Sequence, residues 1–320
     1  MLHEAYFVTL AESRSGIGAW LRFTRWQSDR FHPSYHAALW AVLTVPDHPA
    51  PIALRHELSY DTWHRTPEEL RIDDARLTAH GTVGAIAVDD RHVAWELTWE
   101  GAHGDRLPDG EELFPYAWMY RAAWPATKLA APIPATRCAG TIQLGDRTYA
   151  VTGAMTHVGH TWGTRMADAW AWAVVPGFAE TAGHLEAVSV RYTCAKTLTP
   201  PLTIARLTVE GTVYAFDSPL RWLTQHTAWN THGWDLVCRT RRHRLTLRIA
   251  AVPSRIVGVA YTDPFGGHRY CYNTVRADAR LLVEERMGGR WRERRQLTCP
   301  RAVTYEHAAM TPDPTLSLSL

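Results

Sequence analysis

The chain carries almost no net charge and no long apolar segment. Its 34 lysines and arginines nearly balance 32 aspartates and glutamates, which leaves a formal charge of +2 over 320 residues. So small a charge gives little electrostatic attraction to a polyanion. The longest apolar stretches, residues 37–46 and 169–179, fall well short of the roughly 18 residues that a membrane-spanning helix needs. We therefore expect no nucleic-acid partner and no integral membrane segment.

Cysteine is scarce and scattered. The five cysteines, Cys138, Cys194, Cys238, Cys271 and Cys299, are odd in number and never form a C-x-x-C motif. That arrangement argues against both a disulfide framework and a zinc knuckle. The N-terminal residues also lack the basic and apolar regions of a signal peptide. These features predict a protein of the reducing cytoplasm.

Motifs of several large enzyme classes are missing. H-E-x-x-H and other metal-ligand spacings do not occur, and the closest histidine pair is His157 with His160. The nucleophile elbow G-x-S-x-G is absent. The glycines Gly16 and Gly18 lack the third glycine and the following helix of a dinucleotide-binding loop. We expect neither a metal nor a cofactor.

Short runs of Val, Ile, Thr, Tyr and Trp, bounded by Gly, Pro, Asp or Asn, fill most of the sequence. This pattern is typical of strands in a meandering antiparallel sheet. Helical periodicity is weak, and the best short candidates, residues 67–70, 115–123 and 219–226, each begin with a proline. The predicted fold class is all-β.

Two matching segments indicate an internal duplication. Residues 75–83 (ARLTAHGTV) and 205–213 (ARLTVEGTV) agree at seven of nine positions, and they are separated by about one domain length. Residues 125–134 are rich in proline and alanine and are the expected linker. We expect two antiparallel β-barrels in tandem, residues 1–130 and 131–320, because closure removes exposed sheet edges. A pair of β-sandwiches is the alternative.

The densest group of polar and aromatic residues lies in residues 153–172. His160 and Trp162 share one face of an extended strand, as do Trp170 and Trp172, because side chains alternate with period two. An imidazole beside three indoles would combine a proton donor with aromatic faces that stabilise positive charge. The alternative is a histidine that is satisfied within an aromatic core.

The element H-x-W-G at residues 160–163, before the W-x-W strand, resembles the signature of the carotenoid 1,2-hydratase-like superfamily. That grouping includes the AttH-like proteins and the lipocalin-like Diels–Alderases. Residues 16–23 (GIGAWLRF) and 267–273 (GHRYCYN) are similar to an early and a late strand of such proteins. The resemblance covers nearly the whole chain. It implies two lipocalin-like barrels in tandem, in agreement with the predicted duplication.

One position departs from that family. Gly159 stands where an acidic residue commonly precedes the motif histidine, so the support for the imidazole must come from elsewhere. The nearest substitutes are Asp168, His157 and Glu186. Only His160 and Trp162 can be matched residue by residue to the motif of that family.

We therefore expect a cofactor-free cyclase or isomerase that acts on a hydrophobic isoprenoid or polyketide intermediate of natural-product biosynthesis. A shaped apolar cavity that holds the reacting chain folded would supply much of the acceleration. The alternatives are a hydratase that adds water to an isoprenoid double bond and a lipid-binding protein without chemistry. The expected catalytic residues are His160, Trp162, His157 and Asp168. The expected substrate-binding residues are Trp170, Trp172, Glu186, Tyr270 and Asn273.

Overall fold

The computed structural model describes residues 2–28, 32–100, 104–194, 196–264 and 267–320. Over these ranges the chain is mainly β-strand, which confirms the all-β prediction. Helical structure there is limited to four 3₁₀ turns, Tyr60–Thr62, Ala117–Tyr120, Pro219–Thr224 and Pro253–Arg255. Among the described residues, no helix has the length and apolar content that crossing a bilayer requires.

The helix candidates gave mixed results. Residues 115–123 and 219–226 each contain a 3₁₀ turn, whereas residues 67–70 run into the strand Glu69–Ile72. A proline favours the first turn of a helix, but these segments lack the apolar periodicity that would extend one.

The first sheet is antiparallel and contains twelve strands within the described ranges. Its spatial order is β4-β3-β2-β1-β12-β11-β9-β8-β7-β6-β5, with β10 paired to β11. The sheet curls so that β4 contacts β8 across an apolar interior. In chain order the strands are β1 (His3–Ala11), β2 (Gly18–Gln27), β3 (Tyr35–Thr44), β4 (Ile52–Ser59), β5 (Trp63–Arg65), β6 (Glu69–Ile72), β7 (Ala75–Thr78), β8 (Gly81–Val88), β9 (Arg91–Trp99), β10 (Glu111–Glu112), β11 (Thr127–Leu144) and β12 (Arg147–Gly163).

The second sheet is also antiparallel, with the order β18-β17-β14-β13-β24-β23-β21-β20-β19 and β22 paired to β23. The strands β15 and β16 form a separate two-stranded ribbon. The remaining strands are β13 (Ala169–Val175), β14 (Gly183–Arg191), β15 (Thr193–Cys194), β16 (Thr197–Leu198), β17 (Leu202–Val209), β18 (Thr212–Phe216), β19 (His226–Asn230), β20 (Gly233–Arg239), β21 (His243–Ala250), β22 (Val257–Thr262), β23 (His268–Met287) and β24 (Arg290–Ala309).

The two sheets have the same topology. In each, the first strand lies between the second strand and the last, so β1, β2 and β12 correspond to β13, β14 and β24. The correspondence continues outward, with β3 and β4 matching β17 and β18 on one side, and β11 and β9 matching β23 and β21 on the other. Each unit is one curled sheet around its own apolar core, which confirms the tandem lipocalin-like barrels.

The matching nonamers do not occupy equivalent positions. Residues 75–83 form the hairpin β7–β8, whereas residues 205–213 form the hairpin β17–β18, whose counterpart in the first sheet is β3–β4. Their turns also differ, because Glu210 and Gly211 both have positive φ while the turn residues Ala79 and His80 do not. The two sheets share one topology, as a duplication predicts. The matching nonamers, however, do not come from equivalent parts of that topology.

The chain passes from the first sheet to the second between Gly163 and Ala169. The boundary expected at residues 130/131 falls inside β11, and most of residues 125–134, the expected linker, belongs to that strand. Prolines are tolerated here because register shifts on both sides of Ile133 interrupt the pairing of β11 with β12. The linker prediction rested on composition alone, and the structure shows a bulged strand there.

The outer faces of the two sheets pack against each other. Along β1, alternate residues such as Tyr6 belong to the core of the first barrel, while Phe7 belongs to a separate cluster that it shares with Trp20, Trp172 and Val259 of both sheets. Every residue of β1 is therefore buried. This contact between outer faces positions the candidate site.

Gly140 provides a test of the bulged geometry of β11. Its φ is +143°, and an added Cβ would lie 2.0 Å from the backbone oxygen of Glu96 on β9. Because the obstacle is backbone, we expect Gly140→Ala to lower the free energy of unfolding by about 3 kcal/mol in urea denaturation. Gly145→Ala is the matched control, since its φ is also positive but nothing lies within 4 Å; about 1 kcal/mol is expected. Equal losses would contradict the close approach.

Candidate active site between the two sheets

An apolar cavity of about 150 Å³ lies between the outer faces of the two sheets. A volume of this order admits a benzene-sized group. Trp124 lines the cavity with 46% of its surface exposed and marks its mouth, where a longer chain can extend. Aromatic side chains from both sheets and the connecting segments form much of the wall: Phe7, Trp20, Phe114, Trp124, Trp170, Trp172, Trp222 and Tyr261.

Trp170 and Trp172, two of the expected substrate-binding residues, both line this cavity. Their alternation along β13 directs both indoles to the outer face of the second sheet. The Nε1 group of Trp170 donates to Oε1 of Glu306 at 2.6 Å, and that of Trp172 donates to Oε1 of Glu186 at 2.8 Å. The W-x-W strand thus orients two carboxyl groups.

Glu306 is the carboxyl group that lines the cavity. Burial raises its pKa, although the charge of Arg22 and the hydrogen bond from Trp170 oppose the shift. A raised pKa lets a carboxyl group keep its proton to higher pH, as a general acid must. Glu306 was not predicted, because no motif surrounds it. An acidic residue within an otherwise buried part of β24 is the signal that marks it.

Glu186 lies on the same face but does not line the cavity. Burial raises its pKa to about 7, with the hydrogen bond from Trp172 acting in the opposite direction. The side chain is packed beneath the Trp172 indole, so the expected direct contact with substrate is not supported by its position. Glu186 is therefore a suitable comparison for Glu306, because it is a carboxyl group on the same sheet face outside the cavity wall.

Arg22 and Tyr261 supply further polar groups of the cavity wall. Nη1 of Arg22 donates to the Tyr261 hydroxyl at 2.8 Å, and burial raises the pKa of Tyr261 well above its usual value. Asn273 pairs opposite Glu306 in the β23–β24 ladder and interacts with the Tyr261 hydroxyl. Arg22 and Tyr261 thus join Glu306 as polar groups of a largely apolar wall, whereas Asn273, an expected substrate-binding residue, does not itself line the cavity.

His160, an expected catalytic residue, does not line the cavity that Trp170 and Trp172 line. Its imidazole lies on the opposite face of β12, stacked on Tyr6 and Trp162 with ring centroids 3.8 Å and 4.3 Å away. Nε2 is 3.1 Å from Oε1 of Glu4. The neighbouring Thr161 lines the cavity instead, because adjacent residues of a strand face opposite sides. His160 is a satisfied histidine among aromatic rings.

The carboxylate that supports this histidine comes from β1. Burial alone would raise the pKa of Glu4, but the hydrogen bond with His160 and the charge of Arg25 hold it below its usual value. Burial lowers the pKa of His160, and Glu4 opposes that shift. These side chains form a hydrogen-bonded and ionic network of the first barrel, and none of the three substitutes expected from the sequence takes part.

His157 lies on the cavity side of β12 but behind the wall. Its ring centroid is 6.0 Å from those of Phe7 and Trp172, and Nδ1 is 3.2 Å from the carbonyl oxygen of Pro134. Burial lowers its pKa to about 4. Within the part of the chain that the structure describes, no three His, Cys, Asp or Glu side chains converge in a group that could hold a metal ion.

Two further expected site residues lie away from the cavity wall. Asp168 is buried and binds Arg165, Arg269 and the backbone N–H of Thr193. Burial would raise its pKa, but these partners hold it below its usual value. Asp168 therefore anchors the passage between the sheets. Tyr270 lies on the face of β23 opposite Asn273 and does not line the cavity.

Two curled sheets of equivalent topology, with an apolar cavity between their outer faces, define a tandem lipocalin-like fold. Solved structures share this fold. A protein from Nitrosomonas europaea described as an AttH superposes with a TM-score of 0.58 and 14% identity, over 97% of this chain and 92% of its own. The similarity confirms the AttH-like fold that the sequence resemblance implied.

Two other solved structures have the same arrangement. Kievitone hydratase from Nectria haematococca has a TM-score of 0.54 and 9% identity, over 97% of this chain and 89% of its own. CghA, solved with Sch210972, has a TM-score of 0.55 and 11% identity, over 97% and 88%. At these identities the likeness concerns the fold.

In sequence, the chain is similar to the uncharacterized protein Rv0493c of Mycobacterium tuberculosis strain H37Rv. The two are 25% identical over 288 residues, which is 90% of this chain and 82% of the relative. The uncharacterized protein MT0513 of strain CDC 1551 gives the same values. No family model matches the chain.

The buried His157 predicts a loss of stability in acid. Its pKa of about 4 in the folded chain lies below the ordinary histidine value of 6.5, so the unfolded chain gains a proton first as the pH falls. Stability is therefore complete above pH 6.5 and declines below it, by about 2 kcal/mol between pH 7 and 5. His157→Asn keeps a donor for the Pro134 carbonyl and should lose this part of the pH dependence in urea denaturation. An unchanged pH dependence would contradict the assignment.

Proposed function

We propose that the cavity between the sheets is the active site of a cofactor-free cyclase or isomerase that acts on a hydrophobic isoprenoid or polyketide molecule. The observation that carries this proposal is the position of Glu306, a carboxyl group with a raised pKa that faces a largely apolar, aromatic cavity. The acid of the proposed reaction is thus Glu306, because His160 lies on the wrong face of its strand.

The chemistry follows from the wall and the acid together. Glu306 transfers its proton to one carbon of a double bond, and positive charge develops on the other carbon. The faces of Trp170 and Trp172 stabilise that charge by cation–π attraction. Attack by a second double bond forms a carbon–carbon bond, and loss of a proton to the Glu306 carboxylate restores the acid. The apolar wall holds the chain in the folded conformation that this attack needs.

A hydratase is the second candidate, and the polar groups of the cavity wall support it. Arg22 and Tyr261 line the same cavity as Glu306 and carry groups that can hold a water molecule by hydrogen bonds. In that reaction Glu306 gives its proton to the double bond, water attacks the carbocation, and the proton released by the water returns to the carboxylate. One of the structural neighbours is named as a hydratase.

Replacement of Glu306 tests the assignment directly. Glu306→Gln keeps the size of the side chain and an acceptor for Trp170, but it removes the transferable proton, so we expect a loss of about 100-fold or more in turnover. Glu186→Gln is the matched control, since it makes the same change on the same face outside the cavity wall, and it should turn over close to wild type. The assay measures conversion of linear isoprenoid and polyketide polyenes by mass spectrometry. Full activity of Glu306→Gln would refute the role.

The same assay separates the candidate functions. Activity should decline as the pH rises through the raised pKa of Glu306, because only the protonated form donates. A product isomeric with its substrate and free of solvent oxygen supports the cyclase or isomerase. Incorporation of oxygen from isotopically labelled water supports the hydratase. A polyene retained unchanged in stoichiometric amount, with no turnover, supports a lipid-binding protein.

A further inference from the structure

A smaller recess of about 20 Å³ adjoins the cavity between the outer faces of the two sheets. We refer to its residues His3, Arg22, Trp40 and Arg55 as the arginine recess. His3 and Arg22 line both the recess and the main cavity, as does Tyr261. A molecule in the cavity can therefore extend one end into the recess.

Strand pairing places the two arginines on either side of one indole. Arg22 on β2 lies opposite Trp40 on β3, and Trp40 lies opposite Arg55 on β4, so the three side chains form one row across the sheet. The Arg55 guanidinium carbon is 4.5 Å from the centroid of the Trp40 ring, and that of Arg22 is 4.5 Å from the centroid of the Tyr261 ring. Aromatic faces thus hold both cations in position.

Several nitrogen atoms of the arginine recess lack hydrogen-bond partners. Among the described residues, Nε of Arg22, Nε of Arg55, Nε1 of Trp40 and Nδ1 of His3 are buried and unpaired. Arg22, Trp40 and His3 are only 8%, 3% and 5% exposed. A buried donor left without an acceptor costs about 1–3 kcal/mol, and several in one recess indicate a ligand that supplies acceptors.

The recess carries an excess of positive charge. No carboxylate of the described chain lies within ion-pair distance of Arg22, and Glu57, the partner of Arg55, is 55% exposed. None of the residues that line the recess is acidic. Burial lowers the pKa of Arg55, Glu57 opposes this shift, and the nearby charge of Arg22 lowers it further. An anion bound in the recess would offset the positive charge of both guanidinium groups.

We propose that the arginine recess binds the carboxylate of an amphipathic ligand whose apolar chain occupies the main cavity. A carboxylate is planar, presents acceptors that match the guanidinium fork, and needs less room than a tetrahedral phosphate. This inference rests on the proposed function and narrows its substrate class from hydrophobic molecules in general to hydrophobic acids.

Binding of unreactive probes tests the proposal without any reaction. Dodecanoate and dodecanol have chains of equal length and differ in the head group, and their dissociation constants can be measured by titration calorimetry at pH 7. We expect the wild-type chain to bind the acid at least about tenfold more tightly than the alcohol. Arg55→Gln should abolish this preference and leave the affinity for the alcohol unchanged, because Arg55 is not part of the main cavity wall.

Two further variants control for charge and geometry. Arg14→Gln removes the same charge from an exposed position between β1 and β2 and should retain the preference. Arg55→Lys keeps the charge but not the fork, and it should retain part of the preference. A loss of the preference in Arg14→Gln, or its full retention in Arg55→Gln, would overturn the assignment.

The probes also separate this inference from the proposed function. Equal affinity of the wild-type chain for the acid and the alcohol would overturn carboxylate binding by the arginine recess. It would not affect the proposal that the main cavity is the active site. Failure of both probes to bind would count against the cavity itself, and so against both proposals. Tighter binding of dodecyl phosphate than of dodecanoate would overturn the choice of a carboxylate.

Discussion

The structure depends on strands that are buried on both faces. β1 is buried along its whole length, because one set of alternating side chains fills the first barrel while the other packs against the second sheet. The equivalent strand β13 divides its residues in the same way between two cores. In such strands odd-numbered and even-numbered residues point into two different cores. A register shift of one residue would therefore move every side chain into the other core. The cavity is the part of this contact between sheets that the side chains leave unfilled.

The same constraint explains why Glu4 and Glu306 have net pKa shifts in opposite directions, although burial acts to raise the pKa of both. Glu4 faces the first barrel, where His160 and Arg25 hold the pKa of its carboxyl below the usual value. Glu306 faces the cavity, where its hydrogen bond is to a neutral indole and burial raises its pKa. One is the fixed anion of a structural network, and the other is a carboxyl group with a raised pKa at an apolar wall. Partner charge, rather than residue type, decides between the two roles.

Much of the architecture could be predicted. Period-two patterns and turn residues indicate strands wherever they occur, and the H-x-W-G and W-x-W elements resemble a tandem-barrel family, so the all-β class and the two barrels followed. The errors share one cause. Residues 125–134 have the composition of a linker but pair as part of β11, and the matching nonamers form hairpins at non-equivalent places in the two sheets. Composition and local similarity do not say with which distant strand a segment pairs.

The sequence by itself determined which side chains share a strand face. His160 with Trp162, and Trp170 with Trp172, follow from alternation, which is a local property of the extended backbone. Only the tertiary structure decided that these pairs face different environments, because residues 164–168 carry the chain from one sheet to the other. It also decided the partners, since His160 meets Glu4 across 156 positions and Arg22 meets Tyr261 across 239. Contacts at such separations depend on how two complete sheets dock, which no local pattern encodes.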